Sequence, residues 1–136
     1  MAFTTIIFNA RDAWSVFIYG FKINMLTAEL SIEYKNVQGG FTTKGIKLNE
    51  KQFKQMKRLL SEQRFQEVVS GKWKEERTYF ALDPNMWELD LISDDGHPLI
   101  SINNGFGEYQ NPISVIELVE YVLRIMTHDD LSWRAF

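Results

Sequence analysis

The chain contains no cysteine in 136 residues, which excludes a disulfide framework, thiolate catalysis and cysteine-ligated metals. No uncharged apolar run approaches the roughly 20 residues of a membrane-spanning helix. The first apolar cluster, Ile6-Ile7-Phe8, stops at Asn9 with no basic segment before it, so this stretch reads as neither a signal peptide nor a membrane span. There is no internal repeat, low-complexity tract or Pro/Gly/Ser-rich linker. Catalytic signatures are missing too. No G-x-x-x-x-G-K-[ST] loop, H-E-x-x-H helix, G-x-S-x-G elbow or RNA-binding box occurs. These absences lead us to expect one soluble, cytoplasmic domain spanning residues 1–136, without a resident cofactor. Residues 127–136 are expected to be a C-terminal tail able to dock on the body.

Aromatic residues, by contrast, are plentiful: ten Phe, five Tyr and four Trp. With 45% hydrophobic content they exclude general disorder. They must fill a core or leave surface for a partner. The net charge of -3 conceals a segregation. Between Lys44 and Arg77 ten Lys and Arg face five Asp and Glu, whereas between Thr78 and Phe136 two face ten. Such halves complement one another within a fold, or offer a basic face to an acidic partner.

The first forty-odd residues read as strands. Phe3 to Phe8 is rich in Thr and Ile, and residues 14–23 (WSVFIYGFKI) are dense in aromatic and β-branched side chains, with Gly20 suggesting a bulge. Residues 28–35 alternate, with Leu30, Ile32 and Tyr34 on one face. Turn residues 36–40 allow Phe41 to Leu48 to return as a hairpin partner. Asn49 then opens a helix with an N-cap, Gln52 at the third position of a capping box, and Leu48 and Phe53 spaced as a hydrophobic staple. Phe53, Met56, Leu59 and Leu60 form its apolar stripe. The next apolar trio, Phe65, Val68 and Val69, falls on the opposite side of a straight helix, so the spacing predicts a break near Ser61 and a short second helix.

Three further strands are expected at 78–82, 87–93 and 99–103, the last two joined by a turn whose strongest signal is Asp95-Gly96. A final helix runs from Pro112 to about Met126, with half its circumference apolar, including Val115, Ile116, Leu118 and Val122. The expected fold class is therefore α+β: a mostly antiparallel sheet of about five to seven strands with two or three helices packed on one face.

Residues 103–112, NNGFGEYQNP, put two glycines before a helix start, as phosphate loops do. A dinucleotide fingerprint would need a third glycine where Gln110 stands, and a following parallel strand. The stretch reads instead as a strand-to-helix corner, leaving Phe106 and Tyr109 as loop aromatics that face either the core or a partner. His97 beside Asp94 and Asp95, and His128 beside Asp129, supply metal-type ligands but no ligand spacing. We therefore expect no metal centre and keep these five as weak candidates. Glu88 and Asp90 share a strand face about 7 Å apart by strand rise, a spacing glycosidases use only across a cleft.

Lys51, Lys54, Arg58, Lys72, Trp73 and Lys74 have the ingredients of phosphate contact and base stacking, unaccompanied by any nucleic-acid motif. Trp133 and Phe136 are large aromatics at a terminus, where docking on the body or on another subunit would hold them. Three functional classes follow. The favoured one is a non-catalytic module acting through a protein partner or its own oligomer, with Phe106, Tyr109, Trp133 and Phe136 as partner-binding candidates. The second is a nucleic-acid accessory protein using residues 44–77. A small enzyme or metal binder is the weakest expectation, and a membrane partner is not expected.

Overall fold

The computed structural model of the chain describes residues 3–11, 17–35, 38–70, 86–104 and 113–126. They form six strands and three helices: β1 (Thr5–Arg11), β2 (Phe17–Asn24), β3 (Glu29–Lys35), β4 (Phe41–Lys47), α1 (Glu50–Ser61), α2 (Gln63–Val69), β5 (Met86–Ile92), β6 (Pro98–Asn104) and α3 (Ile113–Met126). The strands make one sheet in the order β4-β3-β2-β1-β5-β6, and every pairing is antiparallel. The fold is α+β, as the alternation predicts. The expected strand at 78–82 lies outside the described residues.

Period-two alternation decides the faces. Ile6, Phe8 and Ala10 on β1, Tyr19, Phe21 and Ile23 on β2, Leu30, Ile32 and Tyr34 on β3, and Trp87, Leu89 and Leu91 on β5 are all buried. Registers of Phe8 with Phe21 and with Leu89 align these positions on one face. Phe8 sits at the centre, its ring 5.0 Å from Phe21, 6.0 Å from Tyr19 and 6.1 Å from Trp87. Burying a side chain of this kind contributes about 2–3 kcal/mol. Burial also pushes the Tyr19 phenol well above its ordinary pKa, so it stays protonated.

The helices cover that same face. Met56 and Leu60 of α1, Phe65 and Val68 of α2, and Val115, Leu118, Val119 and Val122 of α3 join one core with the inward strand residues. The topology explains why α1 and α2 lie across the sheet. After β4 the chain must cross the sheet to place β5 beside β1, and α1 and α2 lie on that crossing. The helix break falls where the conflicting stripes require it: Glu62 is extended, with φ -62° and ψ 146°, between α1 and α2. The capping box of Asn49 is complete, since its Oδ1 accepts from the Gln52 N–H at 2.8 Å and Gln52 Oε1 accepts from the Asn49 N–H at 2.9 Å. No helix among the described residues is long and apolar enough to cross a membrane.

Several local expectations need correction. Gly20 holds regular register with Asn9 and Glu33; the irregularity lies between Ala10 and Arg11, opposite Tyr19 and Phe17. The turn expected at Asp95-Gly96 does join β5 to β6, with its centre one residue earlier. The Gly96 N–H donates to the Ser93 carbonyl at 3.0 Å, and Gly96 alone has positive φ, at 86°. Asp94 and Asp95 are thus the middle of the turn and Gly96 closes it. On α3, Ile116 remains 40% exposed and Ile113 60%, so the apolar face is narrower than its composition implies. Phe53 is half-buried, with the Lys57 ammonium 4.3 Å from its ring centroid.

Candidate functional site

Among the described residues the helices lie on one side of the sheet, and no element covers the opposite face. Cross-strand registers set out its rows. One runs Gly45, Ser31, Lys22, Ile7, Asp90 and Ser101; another runs Thr43, Glu33, Gly20, Asn9, Glu88 and Asn103. A largely polar open face is ordinary for an antiparallel sheet. Three departures from that norm mark it as the candidate site.

The first is an aromatic corner. Strict alternation would send Phe17 inward with Tyr19 and Phe21, but the irregular pairing opposite Arg11 moves it to the open face. There its ring edge lies 3.1 Å from where a Cβ on Gly20 would sit. The ring packs against Phe41 of β4, centroids 5.7 Å apart, and Phe41 is 57% exposed. Gly20 is explained by this crowding: a Cβ there would also lie 2.5 Å from Asn9 Oδ1 and 2.8 Å from the Phe8 carbonyl oxygen. Its backbone is ordinary; the space around it is not.

The second departure is β4 itself. Six of its seven residues are exposed, although Thr42, Lys44 and Ile46 pair with the buried Tyr34, Ile32 and Leu30 and so belong to the helix-covered face. The helices stop short of this edge. Lys44 reaches back over the Tyr34 ring, 5.8 Å from its centroid. The strand extends the sheet without adding to the core.

The third is a depression of about 440 Å³ over β2, β3 and β4, lined on the open face by Lys22, Asn24, Glu29, Ser31, Gly45 and Lys47. It exists because Gly45 contributes no side chain where β4 borders solvent. Among the described residues no ion pair engages Lys22, Glu29 or Lys47, so both signs of charge stand there unpaired.

Residues singled out by sequence scatter differently. Lys51, Lys54 and Arg58 are exposed along one side of α1, with Lys54 held 3.8 Å from Glu50. Asp94, Asp95 and His97 build the β5–β6 turn: Asp95 Oδ1 accepts from the Ser93 hydroxyl and from the His97 N–H. That turn chemistry holds the Asp95 carboxyl below the usual range, the Ser93 bond contributing most. Among the described residues, no three ligand-type side chains converge on a metal position. Glu88 and Asp90 do share the open face, where Asp90 Oδ1 accepts from Ser101 at 2.6 Å. Lys72, Trp73, Lys74, Phe106, Tyr109, His128, Asp129, Trp133 and Phe136 lie outside the described residues.

Sequence reading passed over Phe17, Phe41 and Gly45. Gly45 carried a usable signal, since an isolated glycine in a strand pattern marks a bulge or a close approach. The Phe17–Phe41 pair carried none, because a pairing irregularity moves one ring to the other face. No protein-family model matches the chain, and no curated protein resembles it significantly.

Proposed function

We propose that the chain is a non-catalytic, cytoplasmic protein-binding module that engages a protein partner, or its own second copy, through the open face of its sheet. The observation that carries this reading is the Phe17–Phe41 corner. Two aromatic rings packed together on the uncovered face, one of them 57% exposed, are costly to leave in water and fit the centre of an interface. The surrounding rows supply the polar rim such interfaces have. The lack of cysteine suits a reducing compartment.

The test is site-specific photocrosslinking in the source cell, with a benzophenone amino acid at Phe41 and, as control, at Lys54 on α1. The expected result is one discrete product from position 41 and none from position 54. Its mass separates a partner from a self-complex. Loss of position dependence, together with purely monomeric sedimentation, would sink the proposal.

A second reading is supported by the spacing of Lys51, Lys54 and Arg58 at i, i+3 and i+7 on the exposed side of α1, which suits a phosphate backbone. It is tested by oligonucleotide anisotropy. Binding must fall steeply as salt rises, and salt-independent or absent binding removes this reading.

A further inference from the structure

We infer that the β4 edge accepts an extended, acidic segment of the protein partner as a seventh strand, with one carboxylate lying across Gly45 into the depression between Lys22 and Lys47. This rests on the protein-binding reading and names the chemistry of what is bound.

Three observations support it. The first is that β4 has no structural reason to be glycine at position 45. A Cβ there would meet only the Leu30 carbonyl oxygen, at 3.9 Å, and the backbone is not in the left-handed region. A strand glycine without a steric cause weakens the strand. What the missing side chain does provide is the floor of the depression.

The second is reach. An added strand pairs at about 4.8 Å from β4, which places its residue opposite Gly45 three strand spacings, about 14 Å, from Lys22. Cross-strand partners share a face, so that residue projects onto the open side in line with Gly45, Ser31 and Lys22. A glutamate there reaches over Gly45 to the depression with Lys47 its diagonal neighbour on the same face, and Lys22 extends toward it from the far side above Ser31. Any side chain at position 45 obstructs the path.

The third is charge. β4 carries Lys44 and Lys47 and no acid, and Lys51 and Lys54 follow on the exposed side of α1. Edge-to-edge pairing with a second copy would gather four lysines from two β4 strands, with no carboxylate on either strand. An acidic segment, its carboxylates projecting onto the open side, finds Lys47 beside Gly45 and no acid on β4, with Glu29 the acid that lines the depression. Ile46, exposed on the other side of the strand, provides a contact for the apolar residues between the acids. The expected partner segment therefore alternates acidic and apolar residues and binds by strand addition.

The experiment uses the full chain and a fluorescein-labelled peptide alternating glutamate and valine, read by anisotropy. Hydrogen exchange is followed at the β4 amides. We expect saturable binding, protection of the β4 amides, and at least about tenfold weaker binding when lysine replaces glutamate in the peptide. Gly45→Val should reduce affinity by a similar factor while its unfolding midpoint holds or rises, which separates a blocked path from a damaged fold. Lys22→Gln should weaken binding severalfold. The inference is overturned if the acidic peptide gives no binding, if Gly45→Val binds as wild type, or if a single-stranded oligonucleotide binds this edge and the peptide does not. Should it be overturned while crosslinking through Phe41 persists, the protein-binding reading stands and only this choice of segment falls.

Discussion

Gly20 and Gly45 lie on the same open face, one strand apart in the sheet, and should respond to alanine with opposite signs. At Gly20 the added methyl would stand 2.8 Å from the Phe8 carbonyl oxygen and 2.5 Å from Asn9 Oδ1. The carboxamide can rotate away, but the carbonyl moves only by shifting β1, the strand that pairs with both β2 and β5. Overpacking of this kind costs about 1–3 kcal/mol. Removing a strand glycine returns roughly 0.5–1 kcal/mol of backbone entropy. The net loss for Gly20→Ala is about 1–2 kcal/mol, which lowers Tm by about 3–7 °C in a chain of this size. Gly45→Ala meets no close atom and keeps only the gain, about 0.5–1 kcal/mol. Urea and thermal unfolding followed by tryptophan fluorescence would measure both. Adding Asn9→Ala to Gly20→Ala should recover part of the loss, because the clash with Phe8 remains. If both glycine variants move the midpoint in the same direction by the same amount, local crowding is not what holds Gly20, and the reasoning fails.

Other expectations follow from the same geometry. Asn49→Ala removes the side-chain half of the α1 capping box, leaving the bond from the residue 49 N–H to Gln52 Oε1, and should destabilise by about 1 kcal/mol, measured by urea unfolding, whereas Asn49→Ser should retain most of that. Ala28 has φ 59° and is 8% exposed at the end of the β2–β3 connection. Glycine there trades a left-handed strain of about 1–2 kcal/mol against a lost methyl and a freer unfolded chain, so Ala28→Gly should be near neutral. Ala28→Val should be clearly destabilising, since a β-branched residue tolerates positive φ poorly; equal stability of the two would contradict this. Asp95 should titrate below the ordinary aspartate value because Ser93 and His97 bond its charged form. Its contribution to the turn is then present above the unfolded pKa of about 3.9 and lost as pH falls through the folded value. Carboxyl NMR titration should show this depressed midpoint, and Ser93→Ala should raise it.

Local chemistry was enough to read several elements before any fold was known. The helix start at Asn49, the break after Ser61, and the inward residues of β3 and β5 all follow from interactions within a few positions of the chain. Capping and strand alternation are short-range effects, so they are legible in sequence. The open-face site was not legible, because each part depends on residues far apart. Phe17 meets Phe41 only after an irregular β1–β2 pairing redirects it. Gly20 is demanded by Asn9 and Phe8 of a neighbouring strand. The depression requires β2, β3 and β4 side by side with a vacancy at Gly45. Strand alternation and the amphipathic helices determined the α+β class, an antiparallel sheet with helices on one face. Only the tertiary structure decided which face and which edge the described helices leave uncovered, because strand order and register are set by contacts between segments distant in sequence.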